Sequence, residues 1–280
     1  MSRTLQYTLI DGIKCYSPDE ASRYADYPDE GFDITDKVEE DSFWIRSRNR
    51  LLKKTVLQRA SGFSRPRMLE IGCGNGEFLQ HIASTPGLQI IGSEIYVKGL
   101  RFAKKKLPNV EFIQFDAKHG VLPEKFDLIA AFDVIEHIDD DMGAISNVHE
   151  MLNEGGYFIV TVPQHKFLWS RLDQIVKHKR RYTRRELVQK LQARGFTVVQ
   201  RTSFLFILFP LMAVNRLMDR PSEKEPETDA DADIESRVSF PGFLNWVFDK
   251  AMRIDEALIA AGFSLPFGGT LLVVGRKSAT

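Results

Sequence analysis

Four acids in this chain each stand at the end of an apolar run, and a glycine-rich turn follows the first of them. Met68-Leu69-Glu70-Ile71 leads into Gly72-Cys73-Gly74-Asn75-Gly76, and Glu77-Phe78 then opens a helix. Glycine lets such a turn take positive φ and lets backbone approach a ligand without a Cβ in the way. A turn between strand and helix also aims N–H groups at a ligand. The run Gln89-Ile90-Ile91-Gly92-Ser93 ends in Glu94, eighteen positions beyond Gly76, with Ile95 next. An acid at the tip of a second strand can accept hydrogen bonds from both hydroxyls of a ribose. The third run, Val110 to Gln114, leads to Phe115-Asp116-Ala117, where an acid suits the exocyclic amine of adenine. The fourth, Phe126 to Phe132, runs into Asp133-Val134-Ile135-Glu136-His137-Ile138. Four ligand-type residues thus stand in order at four successive strand ends.

The elements that must position these residues are legible in outline. Residues 68–162 alternate strand and helix, which predicts a parallel sheet. The fifth strand is 156–162, ending at Pro163, the sixth 197–200 and the seventh 270–275. Thr183-Arg184-Arg185-Glu186 is a capping box that opens a helix running to Ala193, and Gly195 stops it. Upstream, Asp41 or Ser42 caps a helix that begins at Phe43. Residues 1–40 are polar, with Tyr7, Tyr16, Tyr24, Tyr27 and Phe32 spaced through them, and read as an irregular N-terminal extension.

About sixty residues separate the sixth strand from the seventh, so 204–268 is an insertion in a domain made of 41–203 and 269–280. It opens with an apolar run, 204–214, too short for a membrane span, which needs roughly 20 residues. An acidic, small-residue stretch at 221–237 predicts a mobile loop. Leu244, Val247, Phe248, Ala251, Met252, Leu258 and Ile259 then recur at helical spacing. Two helices packed on each other and on the sheet satisfy this pattern. So does a greasy lid or membrane-interface hairpin over 204–262.

Composition sets further bounds. The 38 basic and 38 acidic residues cancel, so no whole-chain field argues for nucleic acid. Cys15 and Cys73 form neither a disulfide framework nor a zinc pattern, and no metal is expected. Cys73 suits the glycine loop as a small residue. With no signal peptide apparent, a reducing cytoplasm is the default expectation.

The Glu70–Gly76 segment resembles motif I of the class I S-adenosylmethionine-dependent methyltransferases, and Gly72-x-Gly74-x-Gly76 is not the dinucleotide spacing. The resemblance covers roughly 41–200 and 269–276. Within that class, Asp133-Val134-Ile135-Glu136-His137 and His178-Lys179-Arg180-Arg181-Tyr182-Thr183 look most like the subgroup of ubiquinone-biosynthesis O-methyltransferases. The string Glu39-Glu40-x-x-Phe43-Trp44-x-x-x-Arg48-Asn49 looks like an N-terminal element of some relatives. The resemblance implies an α/β fold: a Rossmann-like seven-stranded sheet, mostly parallel, with helices on both faces. Its last strand would lie antiparallel between the fifth and sixth. The implied cofactor is S-adenosyl-L-methionine, held by Glu70, Gly72, Cys73, Gly74, Asn75, Gly76, Phe78, Glu94, Ile95, Asp116, Ala117, Phe132, Asp133 and Val134. The insertion and the N-terminal extension depart from the minimal pattern, so the match speaks to cofactor and reaction before acceptor.

Methyl transfer to a hydroxyl benefits from a general base, and His137 and His178 both lie on the expected ligand edge. Arg180 and Arg181 can bind an anionic acceptor bidentately, with Tyr182 beside them. Trp44 and Arg48 could close over the cofactor, and Trp169 could line the acceptor pocket; aromatic faces also suit a sulfonium. The expected acceptor is a small molecule or a lipid-linked one, with peripheral membrane contact through 204–262 as an option. Rival readings are a dinucleotide oxidoreductase and a non-catalytic cofactor-binding protein of the same fold.

Overall fold

Nine strands pair into one mixed sheet in the computed structural model, which describes residues 5–21, 42–219 and 240–278. In chain order the strands are β1 (Thr8–Ile10), β2 (Ile13–Cys15), β3 (Arg67–Ile71), β4 (Gln89–Glu94), β5 (Glu111–Gln114), β6 (Phe126–Phe132), β7 (Leu152–Pro163), β8 (Phe196–Phe204) and β9 (Thr270–Lys277). They lie in the order β1-β2-β5-β4-β3-β6-β7-β9-β8. The strands β3 to β9 are the seven read from sequence, and β9 runs antiparallel to both β7 and β8 between them. The added pair is a correction to the irregular extension: β1 and β2 form a hairpin, and β2 extends the sheet parallel to β5. Tyr24, Tyr27, Phe32, Glu39, Glu40, the alternative cap Asp41 and the 221–237 loop lie outside the described residues.

Side chains alternate across the sheet, and both faces are covered. Met68, Ala130, Ile159 and Val274 belong to one core, with Leu52 and Val56 of α2 (Phe43–Ala60) and Met252 and Ile259 of α9 (Gly242–Ala260). Leu69, Ile129, Val160 and Val273 belong to the other, with Ile145 and Val148 of α5 (Asp141–Met151) and Leu187 and Leu191 of α7 (Arg184–Gln192). Strands buried on both faces read as unbroken apolar runs. That is why β6 and β7 stand out in the sequence and the half-exposed hairpin does not.

Two helix starts show what a sequence can and cannot give. Thr183 caps α7, its hydroxyl accepting from the Glu186 N–H at 3.2 Å, but the Glu186 side chain pairs with Lys166 at 2.9 Å and the predicted box stays half formed. Ser42 precedes α2, yet its buried hydroxyl makes no cap bond. The Phe43 N–H is taken instead by Asn245 Oδ1 of α9 at 2.7 Å. The cap comes from two hundred residues away, so no local pattern announces it.

The insertion does not pack as one unit. Helix α9 lies on α2, with Phe43 edge-on to Phe248 at 5.2 Å and Arg50 bonded to Asp249 and Glu256. The other helix, α8 (Phe209–Met218), has no buried residue and rests near the turn at Lys166–Leu168. Asp255 of α9 ties the chain entering α8, accepting from the N–H groups of Phe206 at 2.6 Å and Ile207 at 3.2 Å. Leu211, Val214, Leu217 and Met218 of α8, and Phe243 and Trp246 of α9, remain exposed. No helix among the described residues is long and apolar enough to cross a membrane.

Candidate active site

The strand order reverses between β3 and β6, and the chain leaves these neighbours to opposite sides. In open α/β sheets a crevice forms there, beyond the carboxyl ends of the strands. The protein has a cavity of about 370 Å3 at that place. Thirteen of the fourteen cofactor candidates line it, and the other, Gly76, lies in the chain between Asn75 and Glu77 of the wall. Trp44, Arg48 and His137 line it as well.

The glycine loop works by close approach. Gly72, Gly74 and Gly76 all have φ between 54° and 81°, where a side chain is strained. A Cβ on Gly72 would stand 2.4 Å from Val134 Cγ2. The expected fan of free N–H groups is not what forms, because the loop amides are largely spent within the fold. Cys73 N–H donates to Ser93 O at 2.9 Å, Gly74 N–H to Glu94 Oε2 at 3.0 Å and Gly76 N–H to Cys73 O at 2.8 Å. Glu77 N–H donates to the Asn75 side chain at 3.2 Å.

The acids at the strand ends differ in how far they are satisfied. Glu70 is buried, and its Oε2 has no hydrogen-bond partner. Burial pushes its pKa up to about 8, with Arg48 opposing the rise. Asp116 Oδ2 is buried without a hydrogen bond, with His119 Nε2 3.4 Å away. Glu94 is already held by three backbone N–H groups, from Gly74, Ile95 at 2.7 Å and Tyr96 at 3.3 Å, and burial raises its pKa. A carboxylate has roughly four acceptor positions. One more bond therefore fits without disturbing the loop, and a second ribose hydroxyl needs one amide to yield.

Asp133 adopts φ 57° and pairs with Arg48, whose Nε lies 3.1 Å from Oδ2. Arg48 also sits over the rings of Trp44 and Phe132, at 5.6 and 5.8 Å. Residue 48 thus links α2 to the end of β6 across the cavity. The wall holds six carboxylates (Glu70, Glu77, Glu94, Asp116, Asp133, Asp139) against three cations (Arg48, Lys118, Lys179), an excess that favours a cationic ligand.

The remaining candidates part company with the cavity. His178 stacks edge-on to His137, ring centroids 4.9 Å apart, but lies behind the wall. Arg181 is buried in an ion pair with Asp173 at 2.8 Å and donates to Gln164 O at 3.2 Å. Tyr182 is buried, its hydroxyl donating to Asp141 at 2.7 Å. Arg180 pairs with Asp141 at 3.3 Å. Trp169 stands apart from the cavity, after the turn at Lys166–Leu168. The expectation that Trp169, Arg180, Arg181 and Tyr182 meet the acceptor is corrected accordingly: the three polar side chains serve ion pairs and hydrogen bonds within the fold. Sequence reasoning missed Glu77, Tyr96, Lys118, Ile138, Asp139 and Lys179 of the wall. Most of them directly flank a residue it did assign, which is the signal that could have found them.

His137 is largely buried. Burial, and then the neighbouring His178, lower its pKa to about 4. Asp173 accepts from His178 Nδ1 at 2.8 Å and from Arg181. Burial opposes its ionisation, but these bonds hold its carboxyl well below the usual range.

Fold and site together define a nucleoside-binding α/β protein of the Rossmann-like methyltransferase architecture. The model of the methyltransferase domain family matches residues 42–201, and the chain belongs to that family. It is 28% identical over 167 residues to the protein named "Probable S-adenosylmethionine-dependent methyltransferase" of Mycolicibacterium smegmatis, covering 57% of this chain and 61% of that one. It is 25% identical over 128 residues to the ubiquinone biosynthesis O-methyltransferase of Serratia proteamaculans, covering 43% and 53%. The chain spans about half the length of the curated relatives it matches. Phosphoethanolamine N-methyltransferase 2 of Haemonchus contortus, solved with S-adenosyl-L-methionine, shares the fold at a TM-score of 0.59 and 19% identity, over 94% of this chain and 60% of that one.

Family membership brings S-adenosyl-L-methionine with it as methyl donor, and the residues present fit that molecule. It carries an ammonium, which matches the buried Glu70 carboxyl, whose Oε2 has no hydrogen-bond partner. Its adenine amine matches the buried Asp116 carboxyl, whose Oδ2 has no hydrogen bond and lies 3.4 Å from His119 Nε2. Its sulfonium matches the acidic excess of the wall and the aromatic faces of Trp44 and Phe132.

Proposed function

We propose that the protein transfers a methyl group from S-adenosyl-L-methionine to a hydroxyl of a small apolar or lipid-linked acceptor. The donor supplies a methyl already activated on sulfur, so the protein's task is position and electrostatics. Glu70 and the Gly72–Gly76 loop hold the methionine end. Glu94 takes a ribose hydroxyl, and Asp116 with Ala117 the adenine. Phe132, Asp133 and Val134 border the methyl, and Arg48 and Trp44 close over it. His137 faces the acceptor as a neutral imidazole. A pKa near 4 makes it a weak proton acceptor at neutral pH, because a general base works best near the working pH.

The observation that carries the acceptor class is the exposed apolar face of α9, the helix packed on α2 against the neighbour of a cavity residue. Trp44 lines the cavity, and its neighbour Phe43 packs on Phe240 and Phe248 at 5.5 and 5.2 Å. On the same helix, α9, Phe243 is 74% and Trp246 58% exposed. Exposed apolar clusters on soluble proteins mark binding surfaces. The oxygen preference leans on the likeness to the ubiquinone biosynthesis enzyme. The test is incubation with methyl-labelled donor and cell extract split into lipid and aqueous fractions. Base-stable label in a lipid-phase hydroxyl supports the reading, and label confined to polar amines overturns it. Contact of the exposed apolar faces of α8 and α9 with membranes is a corollary, and co-sedimentation with liposomes checks it; protein left wholly in the supernatant removes it.

A further inference from the structure

A buried glutamine ties the N-terminal hairpin to the cavity. Gln114 is the last residue of β5 and is fully buried. In register it lies between Cys15 of β2 on one side and Glu94 of β4 on the other. Both neighbouring strands end there, so the chain beyond them, at Ser17 and Ile95, has left the ladder. The Gln114 side chain serves both. Its Oε1 accepts from Ser17 N–H at 2.8 Å, and its Nε2 donates to Ser17 O at 2.8 Å and to Ile95 O at 3.2 Å. A carboxamide has two N–H donors, and both are used. Ile95 is held from its other side as well: its N–H donates to Glu94 Oε1 at 2.7 Å, while Glu94 Oε2 accepts from Gly74 N–H at 3.0 Å. An unbroken chain of hydrogen bonds thus runs from Ser17 through Gln114, Ile95 and Glu94 to the glycine loop. Ile95, Glu94 and Gly74 line the cavity, as do Phe115, Asp116 and Ala117, which follow Gln114 directly. The hairpin lies outside the residues matched by the family model, 42–201.

We propose that the N-terminal hairpin is a working part of the donor site, and that Gln114 is a positioning residue which couples it to the wall that meets the donor's nucleoside. Packing alone does not call for glutamine here, because burying an amide costs free energy unless every group on it is bonded. What glutamine adds is direction. A fully satisfied buried network fixes the groups it joins. Here it fixes the Ile95 carbonyl, and with it the turn from which Glu94 reaches toward the ribose; that step rests on the ribose reading of Glu94 given above. The hairpin is the less stable partner, since only Ile13 and Cys15 of its two strands are buried. Elements with few buried contacts open more readily than the core. Coupling is reciprocal. An ordered hairpin holds the wall for the donor, and a bound donor holds the hairpin closed.

Two measurements on the full-length protein test this. The first is hydrogen exchange of the peptide containing Tyr16 and Ser17, read by mass spectrometry with and without adenosylhomocysteine. Bound ligand should slow it about 5-fold or more, although neither residue lines the cavity. The second compares adenosylhomocysteine with its analogue lacking both ribose hydroxyls, by calorimetry, in wild type and in Gln114→Met. Methionine keeps the length and loses the bonds to Ser17 and Ile95. Adenosylhomocysteine should bind the variant about 10-fold more weakly, the order of one misplaced hydrogen bond, and the analogue should bind both proteins alike. An unchanged exchange rate at Tyr16 and Ser17 in wild type overturns the proposal, whether or not Gln114→Met folds. Equal weakening of both ligands, or of neither, also overturns it, since that is what a merely structural glutamine gives. A wild type that binds the two ligands equally, with the hairpin still protected, overturns the ribose reading of Glu94 and leaves the coupling standing.

Discussion

Glu70→Gln should make the protein's stability less sensitive to alkali while weakening its grip on the donor. Burial raises the Glu70 pKa from 4.5 to about 8 in the cofactor-free fold. Between those values the folded chain keeps a proton that the unfolded chain has lost. Stability from this group is fully present below pH 4.5 and is lost as pH rises through 8. Each unit in that window removes about 1.4 kcal/mol. From pH 5 to pH 8 wild type should therefore lose about 3 kcal/mol relative to Glu70→Gln, which has no proton to give up. The difference between the two proteins is the quantity to read, because Glu94 and Glu136 are also raised by burial and contribute to both. The assay is urea unfolding of both cofactor-free proteins at pH 5, 6, 7 and 8. Unfolding free energies that run parallel across this range would refute the buried, uncompensated carboxyl.

The same residue ties stability to function. An ammonium beside Glu70 needs it ionised, so adenosylhomocysteine should bind wild type more tightly as pH rises from 6 toward 8, with proton release, and Glu70→Gln should bind weakly without that trend. Glu94→Ala should raise the dissociation constant for adenosylhomocysteine about 5- to 150-fold, the cost of unpairing a buried polar group, and an unchanged affinity in a folded variant removes Glu94 from the site. Gly72→Ala should abolish donor binding, because a Cβ there stands 2.4 Å from Val134 Cγ2. Its left-handed backbone should cost a further 1–2 kcal/mol or so of stability, readable in the same unfolding assay.

What was legible in the sequence follows from range. Strands β3 to β7 could be read because each carries a short apolar run with an acid or a proline at or just beyond its end, and the ligand-facing residues sit at those ends. The hairpin of β1 and β2 could not, since two three-residue strands with exposed Tyr7 and Leu9 carry no such run. The donor side of the site is local to strand ends, so every candidate there reached or adjoined the cavity. The acceptor side is not. Arg181 and Tyr182 read as substrate residues because their charge and hydroxyl looked free. Their partners, Asp173 and Asp141, are 8 and 41 residues away, and only the fold shows that they are spent.

The five residues Asp133 to His137 show how one short turn can serve three ends. Asp133 accepts a left-handed backbone, and its carboxylate meets Arg48 from α2. Val134 fills the space that only a glycine at 72 leaves, so loop and turn specify each other. The turn of 3-10 helix that follows, Ile135–His137, sends Ile135 into the core and Glu136 beneath the cavity floor. A buried carboxylate with no hydrogen bond is costly, and replacing it with an apolar residue would usually stabilise a fold. Packing therefore gives no reason for a glutamate at 136. The histidine behind it gives one: His178 Nε2 stands 3.9 Å from Glu136 Oε1, so the carboxyl holds the loop of His178 against the turn.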